Sequence, residues 1–279
     1  MLGKLYLVAT PIGNLEDITF RAINILKNVD LIAAEDTRHT LKLLNYYEIN
    51  KPLISYHRHN EDIKTDILIN KLLEGKNIAV VTDAGTPGIS DPGEEIVKEA
   101  IKNGIEIVPI PGACALINAL ISSGLNTKEF AFYGFLPLNK KNRNNTLDRI
   151  KREDKTIILY EAPHKLLKTL EDILENIGDI NCVIAKELTK IHENFTRDNI
   201  SNILTDLRRK ENIKGEYIIL LDLNSNQLED DGEIISNKSV NEQYEFYERQ
   251  GMNKKEIIKQ IAKNKNVSKN EIYQMFLNK

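Results

Sequence analysis

The sequence predicts an α/β fold on three observations. Short apolar runs alternate with helical patterns through the first 124 residues, which favours a mostly parallel sheet with helices on both faces. After Phe130 the apolar runs become more aromatic and less regular, which indicates a second α/β unit. The last forty residues combine helical periodicity with an excess of basic side chains. A chain of 279 residues is long enough for two compact domains and a small appendage.

Five apolar runs in the first part predict strands. They cover residues 5–9, 31–34, 53–55, 78–81 and 105–110. The helical patterns between and after them cover residues 18–26, 41–47, 63–73, 96–101 and 113–121. Two of these helices are expected to end at Gly75 and Gly124, because glycine readily adopts the left-handed backbone found at helix ends.

The second part predicts further strands at residues 130–135, 156–160, 182–185 and 217–223, with helices between them. The polar stretch 140–145 is interpreted as a loop. Residues 224–238 turn polar and acidic, which is typical of a linker. The expected organisation is an N-terminal α/β domain, a C-terminal α/β domain, a linker and a helical unit, at residues 1–124, 125–224, 225–239 and 240–279.

Composition excludes several classes of protein. Hydrophobic residues make up 41% and charged residues 28% of the chain, which is ordinary for a globular protein and too apolar for disorder. No apolar run reaches the roughly 20 residues that span a bilayer, and no signal peptide is recognised. Cys114 and Cys182 lack metal-ligand spacing, so we expect neither a disulfide framework nor a zinc site, and a reducing cytoplasm fits. With a net charge of −3, any nucleic-acid partner requires a local basic patch.

Three loops that contain glycine and proline follow predicted strands, at residues 10–15, 83–93 and 109–113. Ligands of open α/β sheets bind beyond the carboxyl ends of the strands. Glycine lets the backbone approach a ligand, and proline holds the loop in shape before the ligand arrives. Any one of these loops could be a plain turn. Three at strand ends of one sheet indicate a shared ligand site.

The chemistry of these loops favours a ligand of little formal charge. The phosphate-binding patterns G-x-x-x-x-G-K-[ST] and G-x-G-x-x-G are absent from the chain. The loops contain no Lys or Arg, so they are poor hosts for a polyphosphate. A zwitterionic nucleoside requires backbone donors and acceptors and an apolar slot, which the loops offer. Composition alone does not name this ligand.

Motifs along nearly the whole chain resemble those of one family of enzymes. They lie at residues 6–15, 34–38, 55–57, 83–93, 134–137, 160–164, 186–190 and 215–217, and the most diagnostic is DAGTPGISDPG at 83–93. By these motifs the chain resembles the tetrapyrrole-methylase-like (class III) S-adenosylmethionine-dependent methyltransferases. Within them it is similar to the bacterial enzymes that methylate a cytidine 2′-hydroxyl in the decoding region of small-subunit (16S) ribosomal RNA. The resemblance implies a homodimer of two-domain α/β chains, with S-adenosylmethionine in the cleft between the domains.

The resemblance also implies which residues contact the cofactor. They lie at strand ends of both predicted domains: Ile12, Thr86, Ile89, Cys114, Ala115, Ala162 and Leu188. Gly85 and Gly112 are expected to allow close approach of the backbone. The chain departs from the family pattern at Arg58, where an acidic residue is expected. It also departs where Ser, Arg and Arg are expected, at Ala162, Lys165 and Lys186.

Methyl transfer to a hydroxyl requires a group that removes or shares a proton. Candidates lie in three clusters, at residues 35–39, 57–61 and 186–190. His57 follows a predicted strand, and histidine is the side chain that most readily exchanges a proton at physiological pH, although a surface histidine would have the same position in the sequence. Lys186 and Glu187 lie on a strand-like segment, and either could assist the hydroxyl.

Candidate RNA-binding residues lie in two regions. Arg38 could bind a phosphate through two hydrogen bonds or pair with Asp36 as a structural residue, and His59 lies just beyond a predicted strand. Lys254 and Lys255 belong to the tail, where residues 240–279 hold eight Lys or Arg against five Glu. The tail resembles a small helix-turn-helix unit, and basic helices attract phosphate. It could equally be a solvated helical cap or a dimer contact.

Two alternatives for the function stay open. A class III methyltransferase that acts on a small molecule such as a tetrapyrrole, or on a protein, would need neither the basic tail nor the motif at 83–93. A non-catalytic RNA-binding protein that keeps the fold would have no need of the cofactor loops. Binding of S-adenosylmethionine separates the second alternative from the enzymes.

Overall fold

Within residues 1–223, two five-stranded β-sheets form the framework of the molecule. A computed structural model describes residues 1–223, 238–249 and 252–277. Most of the predicted linker at 225–239 lies outside the described residues. No helix in the described parts of the chain is long and apolar enough to cross a membrane.

The first sheet is parallel throughout, with the strand order β3-β2-β4-β1-β5. Its strands are β1 (Leu5–Val8), β2 (Leu31–Ala34), β3 (Leu53–Ser55), β4 (Ile78–Val81) and β5 (Ile107–Ile110). The helices that follow these strands are α1 (Phe20–Asn28), α2 (Thr37–Tyr46), α3 (Glu61–Leu73), α4 (Glu94–Lys102) and α5 (Ala115–Ser123). The prediction of a mostly parallel sheet is therefore confirmed for the first part of the chain.

Helices cover both faces of this sheet, and strand β4 shows why its sequence is continuously apolar. Ile78 and Val80 pack into the apolar cluster on one face, whereas Ala79 and Val81 pack into the cluster on the other. Successive side chains of a strand point to opposite faces, so a strand covered on both sides needs apolar residues at every position.

The second sheet is mixed, with the order β6-β7-β10-β8-β9. Its strands are β6 (Phe130–Phe135), β7 (Thr156–Glu161), β8 (Asn181–Lys186), β9 (Asn194–Asn199) and β10 (Tyr217–Asp222). Strands β6 and β7 are parallel, and the other neighbouring strands are antiparallel. The helices of this part are α6 (Lys140–Ile150), α7 (Leu166–Asn176) and α8 (Ile200–Arg208).

Helix α5 joins the two sheets. It follows the last strand of the first sheet, and its residues Leu116 and Leu120 pack against the second sheet in one apolar cluster with Ile158 and Val183. The other face of the second sheet is covered by a separate cluster, to which Leu147 of α6 belongs. Ile12, in the loop after β1, belongs to the same cluster as Ile158, so this loop of the first sheet lies against the second sheet.

Two elements differ from the sequence prediction. The interpretation of residues 140–145 as a loop is wrong, because these residues begin α6. The Asn139 side chain caps the helix by accepting from Asn142 N at 3.2 Å, and the buried residues Leu147 and Ile150 come only after the polar stretch. Strand β9 was not predicted. Its sequence NFTRDN is largely exposed at the sheet edge, so backbone pairing with β8 forms it without an apolar pattern.

The C-terminal unit is helical within its described residues. Its helices are α9 (Val240–Arg249), α10 (Lys254–Asn264) and α11 (Lys269–Leu277). They enclose an apolar cluster of their own, which includes Tyr247, Ile257 and Ile261. At the start of α10, Asn253 and Glu256 form a capping box, in which each side chain accepts from the other residue's backbone N–H. The predicted helical C-terminal unit is therefore confirmed.

Candidate active site

A cavity of about 340 Å³ lies between the two sheets. We call it the first cavity. One wall consists of the loops after β1, β4 and β5, and the other of residues at the ends of β6, β7, β8 and β10. Eight of the nine residues implied as cofactor contacts line it: Ile12, Gly85, Thr86, Ile89, Cys114, Ala115, Ala162 and Leu188. Gly112 lies outside the lining. A Cβ added there would lie 2.8 Å from the Ala9 Cβ, so this glycine allows the turn after β5 to pack against the end of β1.

Hydrogen bonds join the three loops that the sequence placed at strand ends. Thr10 and Gly85 exchange two backbone hydrogen bonds, with N···O distances of 2.9 and 3.0 Å. The Thr86 hydroxyl donates to the Ala113 carbonyl at 3.0 Å. Gly85 has a φ of +86°, a conformation that favours glycine. The loop at residues 83–93 therefore connects the other two and holds their shape.

Aromatic and acidic side chains form the wall on the second sheet. The Tyr160 ring contacts the rings of Phe132 and Phe135, with centroids 4.9 and 5.7 Å away. Its hydroxyl accepts from Leu116 N at 3.2 Å, and burial raises the pKa of Tyr160. Glu161 is buried, and its carboxylate accepts from Ala162 N at 2.8 Å. This wall is therefore ordered by its own contacts.

Charge in the first cavity is entirely acidic among the described residues. No Lys or Arg lines it, whereas Asp91, Glu161 and Glu216 do. Burial, and then the nearby carboxylates Glu35 and Asp83, raise the pKa of Asp91 to about 6. Such a site repels a polyphosphate and suits a ligand with positive charge and an apolar part. These features fit S-adenosylmethionine, the cofactor that the resemblance implies.

The three residues predicted as catalytic lie outside the lining of this cavity. His57 Nε2 lies 3.2 Å from Asn60 Nδ2, and its buried Nδ1 has no hydrogen-bond partner among the described residues. Lys186 Nζ lies 5.9 Å from the centroid of the Tyr217 ring. Glu187 Oε1 accepts from Glu216 N at 2.8 Å. Lys186 and Glu187 therefore contact residues that line the cavity.

Arg58, the departure from the family pattern, contacts the loop at 83–93. Its guanidinium donates to the carbonyl of Ser90, a residue with a φ of +64°. Arg58 also opposes the rise in the pKa of Asp91 and of Glu35. It therefore supplies positive charge beside two carboxylates, Asp91 in the lining of the cavity and Glu35 outside it.

A second cavity of about 580 Å³ adjoins the first. The two share Ile12, Ala84 and Glu216 in their linings. The second is bounded by the loop after β1, by helix α2 and by Lys190. Lys190 Nζ donates to Glu187 at 3.1 Å and to Glu216 at 2.9 Å, so its charge is balanced.

The predicted RNA-binding residues are exposed and lie on separate elements of the chain. Arg38 lies in the first turn of α2 and pairs with Asp36 at 2.8 Å. The His59 ring lies 6.0 Å from that of His57. Lys254 and Lys255 form the exposed first turn of α10 in the C-terminal unit.

Sequence reasoning missed the three carboxylates of the first cavity. Asp91 lies within the loop at 83–93, and Glu161 and Glu216 lie within two of the quoted motifs. The motifs therefore contained the signal. What was missing is the pairing of β7 with β10, which sets Glu161 opposite Tyr217.

Comparisons with known proteins agree with this geometry. A model of the family described as Tetrapyrrole (Corrin/Porphyrin) Methylases matches residues 4–204. Ribosomal RNA small subunit methyltransferase I of Halalkalibacterium halodurans is 47% identical, over 98% of this chain and 94% of that one. The protein of that name from Synechocystis sp. is 44% identical, over 99% and 98%.

Solved structures share the fold at low sequence identity. A diphthine synthase superimposes with a TM-score of 0.64 at 14% identity, covering 82% of this chain and 95% of that one. A uroporphyrin-III C-methyl transferase from Thermus thermophilus, complexed with S-adenyl homocysteine, gives 0.56 at 17% identity, covering 79% and 98%. At these identities the two likenesses show a common fold.

Proposed function

Because the chain belongs to the tetrapyrrole (corrin/porphyrin) methylase family, we propose that it is an S-adenosylmethionine-dependent methyltransferase of small-subunit ribosomal RNA. The observation that supports this cofactor is the first cavity. Its walls are apolar, carboxylates line it, and among the described residues no Lys or Arg does. The names of the relatives at 44–47% identity support the RNA substrate. The motifs at residues 83–93 and elsewhere support a cytidine 2′-hydroxyl in the decoding region as the acceptor.

The residues of the first cavity suit this cofactor. When bound, S-adenosylmethionine supplies a methyl group on a positively charged sulfur. Ile12, Ile89 and Leu188 would contact its apolar parts and exclude water. Asp91 and Glu216 place negative charge in the same cavity and would complement the positive charge of the ligand. The rigid loops would align the reacting atoms, an effect worth roughly 7–11 kcal/mol in well-oriented reactions.

Asp91 is the proposed proton acceptor of the reaction. It would take the hydroxyl proton while the acceptor oxygen forms its bond to the methyl carbon and the carbon–sulfur bond breaks, with the electron pair passing to sulfur. A pKa of about 6 leaves this carboxyl ionised at pH 7 and more basic than an ordinary aspartate. Lys186 and Glu187 contact Tyr217 and Glu216 of the lining, and we assign these two residues the role of positioning the lining. A part for His57 in sharing the proton stays a prediction, since His57 lies outside the lining.

RNA binding is assigned to exposed basic residues of both parts of the molecule. Arg38 and His59 lie near the strand ends of the first sheet, and Lys254 and Lys255 lie on α10. Both lysines are exposed in the first turn of α10, just before its buried residues Ile257 and Ile258. Division into domains at 1–124 and 125–224, function as a homodimer and location in the cytoplasm are parts of the same proposal.

The test is methyl transfer from labelled S-adenosylmethionine to isolated small ribosomal subunits that lack the modification, followed by mapping of the labelled nucleotide. We expect incorporation at the 2′-oxygen of one cytidine. Incorporation at a base, or none, would contradict the RNA assignment. Calorimetry with S-adenosylmethionine then separates the remaining cases, because an enzyme for another substrate binds the cofactor and a non-catalytic protein need not.

A further inference from the structure

The second cavity has no role in the function proposed so far. Its volume of about 580 Å³ lies within the roughly 300–1,000 Å³ of small-molecule sites. Because it shares Ile12, Ala84 and Glu216 with the first cavity, a molecule in the second cavity would adjoin the cofactor. An acceptor group must approach the methyl carbon from such a neighbouring space.

One face of α2 lines this cavity. His39, Lys42 and Tyr46 are spaced three and four residues apart, so their side chains project from the same side of the helix. All three are exposed. Among the described residues, no hydrogen-bond or ion-pair partner is found for the His39 or Lys42 side chain, whereas Arg38 of the same helix pairs with Asp36. The positive charge of Lys42 is therefore available to a ligand.

The ring of Tyr46 is held in place and yet accessible. It makes an edge-to-face contact with Tyr47, with ring centroids 4.9 Å apart, and the Tyr47 hydroxyl donates to the Leu15 carbonyl at 2.5 Å. Tyr46 is 62% exposed. An ordered aromatic ring beside a free lysine is the combination that binds the bases and phosphates of single-stranded nucleic acid.

The remaining charged groups of this cavity already have partners. Lys190 is paired with Glu187 and Glu216, and Asp83 Oδ1 accepts from Asp36 N at 3.0 Å. Gly13 makes the pairing possible, since a Cβ there would lie 2.5 Å from the Lys190 Cγ. The unpaired positive charge therefore lies on the α2 side, where a phosphate would be attracted.

We propose that the second cavity holds the acceptor nucleotide of a single-stranded RNA segment, with its base against Tyr46 and a flanking phosphate beside Lys42. The assignment rests on the proposed function, because it requires an RNA acceptor. Proteins that recognise single-stranded RNA stack unpaired bases on aromatic side chains. The lining shared by the two cavities then brings the ribose of that nucleotide to the cofactor.

The test compares four variants in methyl transfer to small ribosomal subunits. Tyr46→Ala should raise KM at least about fivefold, the lower end of the loss expected for one stacked base, and Tyr46→Phe should recover most of that loss. Lys42→Ala should weaken subunit binding and reduce the slope of log affinity against log salt by about 0.7. Lys27→Ala removes a charge from the exposed surface of α1, outside both linings, and should leave that slope unchanged.

Affinity for S-adenosylhomocysteine, measured by calorimetry, should be the same in all four variants, because none of the substituted residues lines the first cavity. If the wild-type protein transfers no methyl group to the subunits, the proposed function fails and this assignment fails with it. If the wild-type protein is active and Tyr46→Ala and Lys42→Ala keep its KM within twofold, only the assignment of the second cavity is overturned.

Discussion

Asp91 shows how the surroundings of a single residue give a carboxyl group a function. It lines the first cavity beside three charged residues, Glu35, Arg58 and Asp83. Burial raises its pKa most, the two carboxylates add to the rise, and Arg58 opposes it, with a resulting pKa of about 6. Burial also raises the pKa of Glu35, against the backbone hydrogen bond from Asp83. The sequence placed Asp91 in a diagnostic loop, but only its surroundings suit it to the proposed role of proton acceptor.

Replacing Asp91 with Asn should lower the rate of methyl transfer. Loss of a general base typically costs roughly 10²–10⁴-fold. In the wild-type protein kcat should rise as the pH passes through about 6, because Asp91 ionises there, and Asp91→Asn should lose this rise. Single-turnover rates between pH 5 and 8 measure both effects. A variant that keeps the full rate would remove Asp91 from the mechanism.

The stability of Asp91→Asn serves as the control for folding. The folded pKa lies above the ordinary aspartate value of 3.8, so the unfolded chain loses its proton first. Wild-type stability therefore falls as the pH rises from about 4 to about 6, and the variant escapes that loss. Since Asp91 is only half-buried, we expect the variant to be more stable by about 1 kcal/mol at pH 7.5 and by less at pH 4.5. Urea unfolding at both values measures the difference.

At the scale of helices and strands, a buried ion pair connects α6 and α7 to the first cavity. Arg143 Nε lies 2.6 Å from Asp172 Oδ2, and both side chains are 13% exposed. The same guanidinium donates to the Thr169 hydroxyl at 2.7 Å, which in turn donates to the carboxylate of Glu161. Burial acts to raise the pKa of Asp172, but hydrogen bonds from Lys168 and Arg143 outweigh it and lower that pKa.

Replacing either partner of the Asp172 carboxylate should lower stability, but by unequal amounts. Arg143→Ala removes a largely buried partner but leaves Asp172 paired with Lys168, so it should cost about 1–3 kcal/mol of unfolding free energy. Lys168→Ala should cost less than about 1 kcal/mol, because Lys168 is 69% exposed although it also pairs with Asp172, at 2.8 Å. Denaturant unfolding gives both values. Equal losses of stability would contradict the inference that the more buried partner contributes more. Arg143→Ala should also weaken S-adenosylhomocysteine binding, through Glu161.

At the scale of the whole molecule, cofactor binding and the C-terminal unit are structurally separable. Helix α5 packs on the second sheet, in an apolar cluster that also contains Ile12 from the loop after β1 and that borders the first cavity. The C-terminal helices enclose a cluster of their own. Residues 240–279 hold eight Lys or Arg against five Glu, and this excess of positive charge gives the unit an attraction for phosphate.

A chain that ends at Ser239 should bind S-adenosylmethionine as the full chain does and bind small ribosomal subunits more weakly. The salt dependence of subunit binding should also become less steep, because basic side chains are lost. Filter binding at several salt concentrations measures both, with calorimetry for the cofactor. Unchanged subunit affinity would assign the unit to another role, such as a dimer contact. Lys254→Ala with Lys255→Ala in the full chain is the control for charge alone.

Most of the fold could be predicted because a segment that is buried has a recognisable apolar pattern in its own sequence. The central strands β2 and β4 are continuously apolar where helices cover both faces of the sheet. Helix ends such as Gly124, with its φ of +85°, follow local backbone preference. The failures have the opposite cause. Helix α6 begins with a polar turn, and its buried residues come later. Strand β9 lies at an edge, where hydrogen bonds of the backbone suffice.

By itself, then, the sequence determined the α/β class, the strand-end loops and the absence of a phosphate-binding pattern, and its motifs indicated the family. Only the tertiary structure decided which side chains share a cavity. It set the end of β7 against the end of β10 and left Gly112 and the predicted catalytic residues behind the lining. The reason is physical. Local patterns record how one segment is buried, whereas a site is made by segments far apart in the chain, and their pairing depends on the packing of the whole fold.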